Sequence, residues 1–384
     1  MLTLAVLADD LTGALDTGVQ FAASGVKTAL TIGLTPPADC TVSICDLETR
    51  HVTPAEAFTR TQHTVRHAMA CGARYLYVKT DSGLRGNIGA ALSALSASGG
   101  RVLFAPSYPE NRRITAGGVH YIDGVPVSQS LFGRDARNPV RHDRVAEILR
   151  ETAELSIHEL HAGEAIPDTQ GILVADAQTD ADLAGWARTA LASGICCFAG
   201  CAGFAKQLHS ALQLPRGAVR PPSGKRPFLV VCGSISPVSL AQLAQAQEEG
   251  IPCFRLREVE KAGASAVFQA MRQSGCAVVA SAFGEEDIRA NSSSAPADIA
   301  SRLGEIVRLA AESGEFGLYL IGGDTLMAAV RALGDCTILP SFELASGVVL
   351  CSLIQQDAER PLITKSGSFG GRDAITAVLR QFAG

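Results

Sequence analysis

Aromatic residues are scarce in this chain, 5% of its 384 positions with a single tryptophan. A nucleic-acid surface built on stacked bases has little to work with. The charge agrees, since 38 acidic against 33 basic side chains give a net charge of −5 and leave no basic stripe. No uninterrupted apolar run reaches the ~20 residues that a membrane span needs. Met1 leads straight into a short strand-like run instead of a basic and then a long apolar segment, so no signal peptide is expected and the cytoplasm is the expected compartment. The 11 cysteines lack a repeated short spacing. Their tightest group, Cys196, Cys197 and Cys201, has no second ligand pair, so reduced, packed thiols are expected and no metal site. Two nucleotide signatures are also missing. Gly224-Lys225 has neither the earlier glycine nor the following hydroxyl residue of a Walker A loop, and no G-x-G-x-x-G occurs. A small-molecule enzyme remains as the fitting class.

With 47% hydrophobic residues, a chain of this length is expected to fill two cores. From Leu2 to about Leu214, short β-rich runs alternate with helical stretches: Leu2 to Ala8, Thr28 to Ile32, Val42 to Cys45, Tyr75 to Val78, Val102 to Ala105, Ile172 to Ala175 and Ile195 to Ala199. Such alternation predicts a largely parallel sheet. Four prolines and two glycines in residues 215–227 break both periodicities and mark a linker. Beyond it, strands are expected at Phe228 to Cys232, Cys253 to Leu256, Ala277 to Ala280 and Gly317 to Ile321, with helices from about Val238, Ala262 and Asp298. The fold class is therefore α/β, in two domains (1–214 and 228–384) with largely parallel sheets and an active-site cleft expected between them.

The densest chemistry lies at Val6-Leu7-Ala8-Asp9-Asp10-Leu11-Thr12-Gly13-Ala14-Leu15-Asp16-Thr17-Gly18, where three carboxylates crowd the end of an apolar strand and the start of a helix. That edge is where open α/β sheets bind ligands. Acids and free amides there suit a polyhydroxy substrate or a metal. The plainer alternative is that Asp10 or Thr12 caps the helix while Asp9 and Asp16 are solvated.

A second edge loop, Lys79-Thr80-Asp81-Ser82-Gly83-Leu84-Arg85-Gly86-Asn87, follows the strand ending at Val78. Lys79 and Arg85 are able to hold a carboxylate, Asp81 and Ser82 to bond hydroxyls, and Gly83 and Gly86 to let backbone approach closely. Capping of the next helix and surface ion pairing would account for the same residues. Arg50 adds a cation after another strand, and Arg112 and Arg113 leave a third, facing either ligand or water. Gly118 to Val127 reads as a hairpin turning at Asp123-Gly124, which makes His120 a hairpin side chain. In the second half three glycine turns follow strands or precede helices: Cys232-Gly233-Ser234-Ile235-Ser236, Ile321-Gly322-Gly323-Asp324-Thr325 and Lys365-Ser366-Gly367-Ser368-Phe369-Gly370-Gly371. Side-chain-free turns expose amides to phosphate oxygens, which makes this half a candidate nucleotide lobe.

Taken together and in this order, Ala8-Asp9-Asp10-Leu11-Thr12-Gly13-Ala14, Lys79-Thr80-Asp81-Ser82, Leu84-Arg85-Gly86-Asn87, Cys232-Gly233-Ser234, Gly322-Gly323-Asp324-Thr325 and Lys365-Ser366-Gly367-Ser368-Phe369-Gly370 resemble the four-carbon acid sugar kinase family over nearly the whole chain. The resemblance implies an N-terminal acid-sugar domain, a C-terminal ATP-binding domain, and phosphate transfer to the terminal hydroxyl of a four-carbon sugar acid. It places Asp9 or Asp10, Arg50, and Lys79, Thr80, Asp81 and Ser82 against the substrate. It places Ser234, Gly322, Gly323, Asp324, Thr325 and Gly367 against ATP. Two positions depart from the family pattern: Leu15 stands before Asp16 where a polar residue is usual, and Ser368 stands before Phe369 where glycine is usual.

For a loose phosphoryl-transfer transition state, alignment and charge neutralisation matter most. Arg50, Lys79 and Arg85 are expected to fix the carboxylate and hydroxyls. Mg²⁺ would bridge phosphate oxygens with Asp324 behind its waters. Asp9, Asp10 and Asp81 are each candidates for general base, with Asp10 favoured and Asp81 next. Two other classes stay in view, a sugar-acid sensor without catalysis and an NAD-dependent hydroxy-acid dehydrogenase. The expected partners are the sugar acid and ATP, with no nucleic acid and no membrane; the oligomeric state stays open, a homodimer included.

Overall fold

A computed structural model of the chain describes residues 2–33, 40–135, 137–218, 225–314, 316–345, 347–355 and 358–383. It divides into two compact units, Met1–Ala218 and Val219–Gly384. Residues 219–224 of the expected linker lie outside the described residues.

The first unit is a parallel sheet with helical crossovers. Its elements are β1 (Leu4–Ala8), α1 (Leu11–Ala22), β2 (Thr28–Ile32), β3 (Val42–Asp46), α2 (Pro54–Ala70), β4 (Tyr75–Lys79), α3 (Ile88–Gly99), β5 (Arg101–Ala105), β6 (Arg113–Ala116), β7 (Val119–Ile122), β8 (Val125–Pro126), α4 (Val145–Arg150), β9 (Ile157–Leu160), β10 (Gly171–Ala175), α5 (Asp180–Ala192), β11 (Cys197–Gly200) and α6 (Ala202–Leu212). The strand order is β2-β3-β1-β4-β11-β5-β10-β9, parallel at every pairing. All five residues of β1 are buried, as a central strand covered on both faces requires. Leu7, Leu76, Leu92, Phe104, Ile172 and their neighbours form its core. The helix starts follow local rules: Asp10 caps α1 by accepting from the Gly13 amide at 3.1 Å, and Thr53 caps α2 ahead of Pro54.

The expected hairpin is present as β7 and β8 within a small antiparallel sheet ordered β6-β7-β8. Asp123 (φ 52°) and Gly124 (φ 82°) both take the left-handed conformation of a tight hairpin turn.

The second unit comprises β12 (Phe228–Cys232), α7 (Pro237–Glu248), β13 (Cys253–Arg255), α8 (Leu256–Ala262), α9 (Ser265–Ser274), β14 (Cys276–Ala280), α10 (Glu285–Ala290), α11 (Pro296–Ser313), β15 (Gly317–Ile321), α12 (Gly323–Leu333), β16 (Thr337–Ala345), β17 (Val348–Gln355), β18 (Ala358–Lys365) and α13 (Ala374–Phe382). The order β13-β14-β12-β15-β18-β17-β16 is parallel through β18 and antiparallel from there on. The antiparallel strands β16 and β17 were not among the expected elements. A helix expected from Ala262 is instead two helices, because Gly263, at φ 83°, ends α8 where the expectation had a start. No described helix is long and apolar enough to cross a membrane.

Candidate functional site

In the first unit the site follows from strand order. The chain runs from β1 to β2 and β3 on one side, then to β4 on the other. Such a switch point is where open α/β sheets hold ligands. Ala8 lies level with Asp46 of β3 and with Lys79 of β4. The residues leaving these three strands therefore meet: Asp9 and Asp10, Leu47 to Arg50, and Thr80 to Arg85.

Arg50 is the centre of the meeting. Its Nε and Nη2 donate to the two oxygens of Asp9 at 2.7 and 2.9 Å, and its Nη1 and Nη2 donate to those of Asp10 at 3.0 and 2.7 Å. Paired charge-assisted bonds of this kind fix geometry as well as charge. Asp9 and Arg50 are also tied through the main chain, since the Thr49 and Arg50 amides donate to Asp9 O. Burial pushes the Asp9 carboxyl above its usual range, against the pull of Arg50, whereas the attraction of Arg50 and Lys79 outweighs burial at Asp10 and holds it below. Nearby Asp46 is buried with one oxygen accepting from the Glu48 amide and the other without a partner among the described residues. Burial and the Asp10 charge push it well up.

Asp81 is held more firmly still. Arg85 donates Nε and Nη2 to its two oxygens at 2.8 and 3.0 Å, and the Gly83 and Arg85 amides also donate to Oδ2. Arg50 Nη2 lies 3.7 Å from Oδ1. Burial alone would raise its pKa, but the two guanidiniums hold it far below the ordinary carboxylate range. Arg85 reaches on to Asp135 at 2.9 Å, and its guanidinium and that of Arg113 lie over the Phe132 ring at 5.0 and 5.2 Å. Arg113 also bonds the Ser82 hydroxyl. His120 proves to be a buried hairpin side chain whose Nε2 bonds Ser82 O at 3.1 Å and whose Nδ1 meets Thr115 Oγ1 at 3.0 Å. Burial lowers its pKa to about 4, so the ring is neutral at physiological pH and donates one hydrogen only.

Lys79 is buried and donates to Thr80 O at 2.8 Å. Its ammonium packs on Gly13, where a β-carbon would overlap both Lys79 Nζ and Asp10 Oδ1. A lysine has three donors, and Thr80 O is the acceptor that Lys79 has among the described residues. Three carboxylates (Asp9, Asp10, Asp81) thus face three cations (Arg50, Lys79, Arg85). The guanidiniums of Arg50 and Arg85, expected to be open for a ligand's carboxylate, are engaged by the protein's own acids. Thr80 turns inward: its hydroxyl and that of Thr61 are buried, and both line a cavity of about 10 Å³ beside Asp9 and Lys79, the size of one water.

The second unit repeats the same logic. β12, β15 and β18 are adjacent and end level, Cys232 opposite Ile321 and Ile321 opposite Lys365. The three glycine turns that follow them converge. A β-carbon on Gly367 would overlap Ser234 Oγ, one on Gly233 would overlap Thr325 Oγ1, and one on Gly322 (φ 106°) would touch Ser234. Gly323 and Asp324 are exposed at the start of α12, and Thr325 is buried.

The loop at 366–371 is gripped by its carbonyls. Ser236 and Ser239 donate to Gly367 O at 2.6 and 2.7 Å. Gln242 Nε2 donates to Phe369 O, Gly370 O and Gly371 O at 3.0, 3.2 and 2.8 Å. Lys365 Nζ donates to Ser366 O and Phe369 O at 3.0 and 3.1 Å. In a trans peptide the N–H points opposite to the C=O. Four of these five carbonyls (366, 367, 369 and 370) therefore direct the amides of Gly367, Ser368, Gly370 and Gly371 away from the donors that hold them, and none of those amides finds an acceptor among the described residues. An array of that kind suits phosphate oxygens.

Although Lys365 and Ser236 fall within the expected glycine turns, no role was expected for Lys365, Ser236, Ser239 or Gln242. A signal for the last three existed in their spacing of three, which puts them on one face of α7. Lys365 closes an apolar strand directly before a glycine turn, an expensive place for an unpaired charge.

Two family models match, the sugar-binding N-terminal domain over residues 4–208 and the nucleotide-binding C-terminal domain over residues 229–375. A D-threonate kinase of Cupriavidus necator is 30% identical, covering 96% of this chain and 95% of its own. A D-erythronate kinase of Heliobacterium modesticaldum is 29% identical over 97% and 95%, and a 3-oxo-tetronate kinase of Methylobacterium radiotolerans is 27% identical over both whole chains. In fold, the chain matches crystal structures of a Salmonella typhimurium LT2 protein (TM-score 0.83, 20% identity, 100% of both chains) and a Haemophilus influenzae protein (TM-score 0.79, 19% identity, 98% and 100%). The chain belongs to the four-carbon acid sugar kinase family, its sugar-binding domain preceding its nucleotide-binding domain.

Proposed function

We propose that this protein transfers the γ-phosphate of ATP to the terminal hydroxyl of a four-carbon sugar acid, in the cytoplasm. The observation that carries the reading is the Asp9–Arg50–Asp10 knot beside Lys79. Carboxylates accept hydrogen bonds and never donate them when ionised, so Asp9 and Asp10 suit the hydroxyls of a polyol. Lys79 supplies the cation for the acid group, and Ser82 a further hydroxyl contact. Arg50 and Arg85 act mainly by holding Asp9, Asp10 and Asp81 in place.

Among the three acids Asp9 is the best proton acceptor. Burial raises its affinity for a proton even against Arg50, the partner it shares with Asp10, whereas Arg50 and Lys79 hold Asp10 down and two guanidiniums hold Asp81 down further. In this reading Asp9 accepts the proton of the attacking hydroxyl and Asp10 orients it, a reversal of the preference for Asp10 formed on sequence alone. In the nucleotide-binding unit, Ser234, Gly322 to Thr325 and the amides of Gly367, Ser368, Gly370 and Gly371 hold the phosphates. The exposed Asp324 carboxylate offers the hard oxygen that suits a water-clad Mg²⁺; when bound, that ion would offset phosphate charge.

A coupled ADP-release screen over D- and L-threonate, D- and L-erythronate and their 2-oxo and 3-oxo relatives tests the reading. Turnover with at least one of them is expected. No ADP release with any, while the acids still bind, would favour the sensor instead.

A further inference from the structure

Lys365 is a lysine without a carboxylate. It is 2% exposed at the end of β18, and among the described residues it makes no ion pair. From β12 it faces the thiol of Cys232, which burial holds neutral by pushing it up to about 11. From α7 the groups on the same loop are the uncharged Ser236, Ser239 and Gln242. From β15 the neighbour is main chain, with Gly322 N donating to Lys365 O at 2.9 Å. The side chain passes Gly370 with its Cδ, and its ammonium holds two loop carbonyls, Ser366 O and Phe369 O. A buried charge without an opposite charge is costly. Here the loop it grips is the one that turns four amides outward.

We propose that Lys365 is the buried counter-charge for the nucleotide's polyphosphate, acting through the 366–371 loop as a positioning residue. The inference rests on the nucleotide reading of this unit. Burial lowers the lysine to about 8. A polyphosphate on the far face of the loop favours the charged ammonium and restores its proton. The same charge pulls the Ser366 and Phe369 carbonyls inward, which keeps the Gly367 and Gly370 amides facing the ligand.

The test is calorimetric titration of the full chain with Mg·ADP in two buffers of different ionisation enthalpy, at pH 7 and at pH 8.5 to 9, where ADP itself carries no titrating proton. A free-state value near 8 predicts uptake of roughly three-quarters of a proton at pH 8.5 and an affinity about tenfold weaker at pH 9 than at pH 7. Lys365→Met should abolish the uptake and weaken ADP about tenfold or more at pH 7. Lys365→Arg, which keeps its charge, should bind ADP with no uptake and no loss toward pH 9. The arginine variant carries the test if the methionine variant does not fold. ADP binding without proton uptake, or uptake that persists in either variant, overturns the role of Lys365 and leaves the nucleotide reading standing. Absence of ADP binding at every pH overturns that reading, and this inference with it.

Discussion

Arg50 and Asp9 form a two-point ion pair, Nε to Oδ2 at 2.7 Å and Nη2 to Oδ1 at 2.9 Å, across the carboxyl ends of neighbouring strands. The same guanidinium closes on Asp10, so one side chain neutralises two acids and sets their spacing. Its removal would leave the half-buried Asp9 and Asp10 without that partner. Arg50→Ala should destabilise the first unit by about 1–3 kcal/mol, between the result for an exposed pair and that for a fully buried one. Chemical denaturation measures it. An effect below about 1 kcal/mol would mean the pair behaves as an exposed one.

Asp9→Asn should lower kcat by about 10²- to 10⁴-fold, the range for loss of a general base. The Kd for ADP should not move. Asp81→Asn acts differently, because its oxygens bind Arg85 and two main-chain amides. Its main effect should be on KM for the sugar acid. Steady-state kinetics of the two variants, side by side, separates the roles.

Gly367→Ala puts a methyl group into Ser234 Oγ. The predicted outcome is loss of ADP affinity of tenfold or more, equivalent to about 1.4 kcal/mol, with sugar-acid binding unchanged. Isothermal titration with each ligand decides it.

Asp46 gives a pH prediction of unusual sign. Its folded pKa lies well above the unfolded 3.8, so the folded state binds its proton more tightly and stability is lost as pH rises above about 4. Asp46→Asn keeps an oxygen for the Glu48 amide and carries no charge. It should raise stability at pH 7, with the gain vanishing near pH 4. Denaturation midpoints at the two pH values provide the check, and a loss of stability at pH 7 would contradict it.

Much of this architecture was legible because buried parallel strands are continuous apolar runs, and runs such as Thr28–Ile32, Phe228–Cys232 and Gly317–Ile321 appear with their expected bounds. β16 and β17 were harder. Thr337–Ala345 alternates in burial only in two short stretches, broken out of phase at a bulge, and runs from buried to exposed positions. β9, Ile157–Leu160, is an edge strand with one buried residue of four. The acids and cations of the first unit were legible individually, since each follows a strand. Their pairing was not, because which carboxylate takes which guanidinium depends on strand order, and strand order is nonlocal. That is why Arg50 and Arg85 read as open cations. Lys365 escaped for the complementary reason, that its partners are carbonyls and carbonyls have no sequence signature.

Which carbon receives the phosphate is read by ³¹P–¹H correlation NMR of the reaction product, formed from ATP and whichever tetronate supports ADP release. One new phosphate monoester is expected, coupled to the protons on the terminal carbon and formed in equal amount to ADP. Phosphate coupled to another carbon, or ADP accompanied only by inorganic phosphate, would contradict transfer to the terminal hydroxyl.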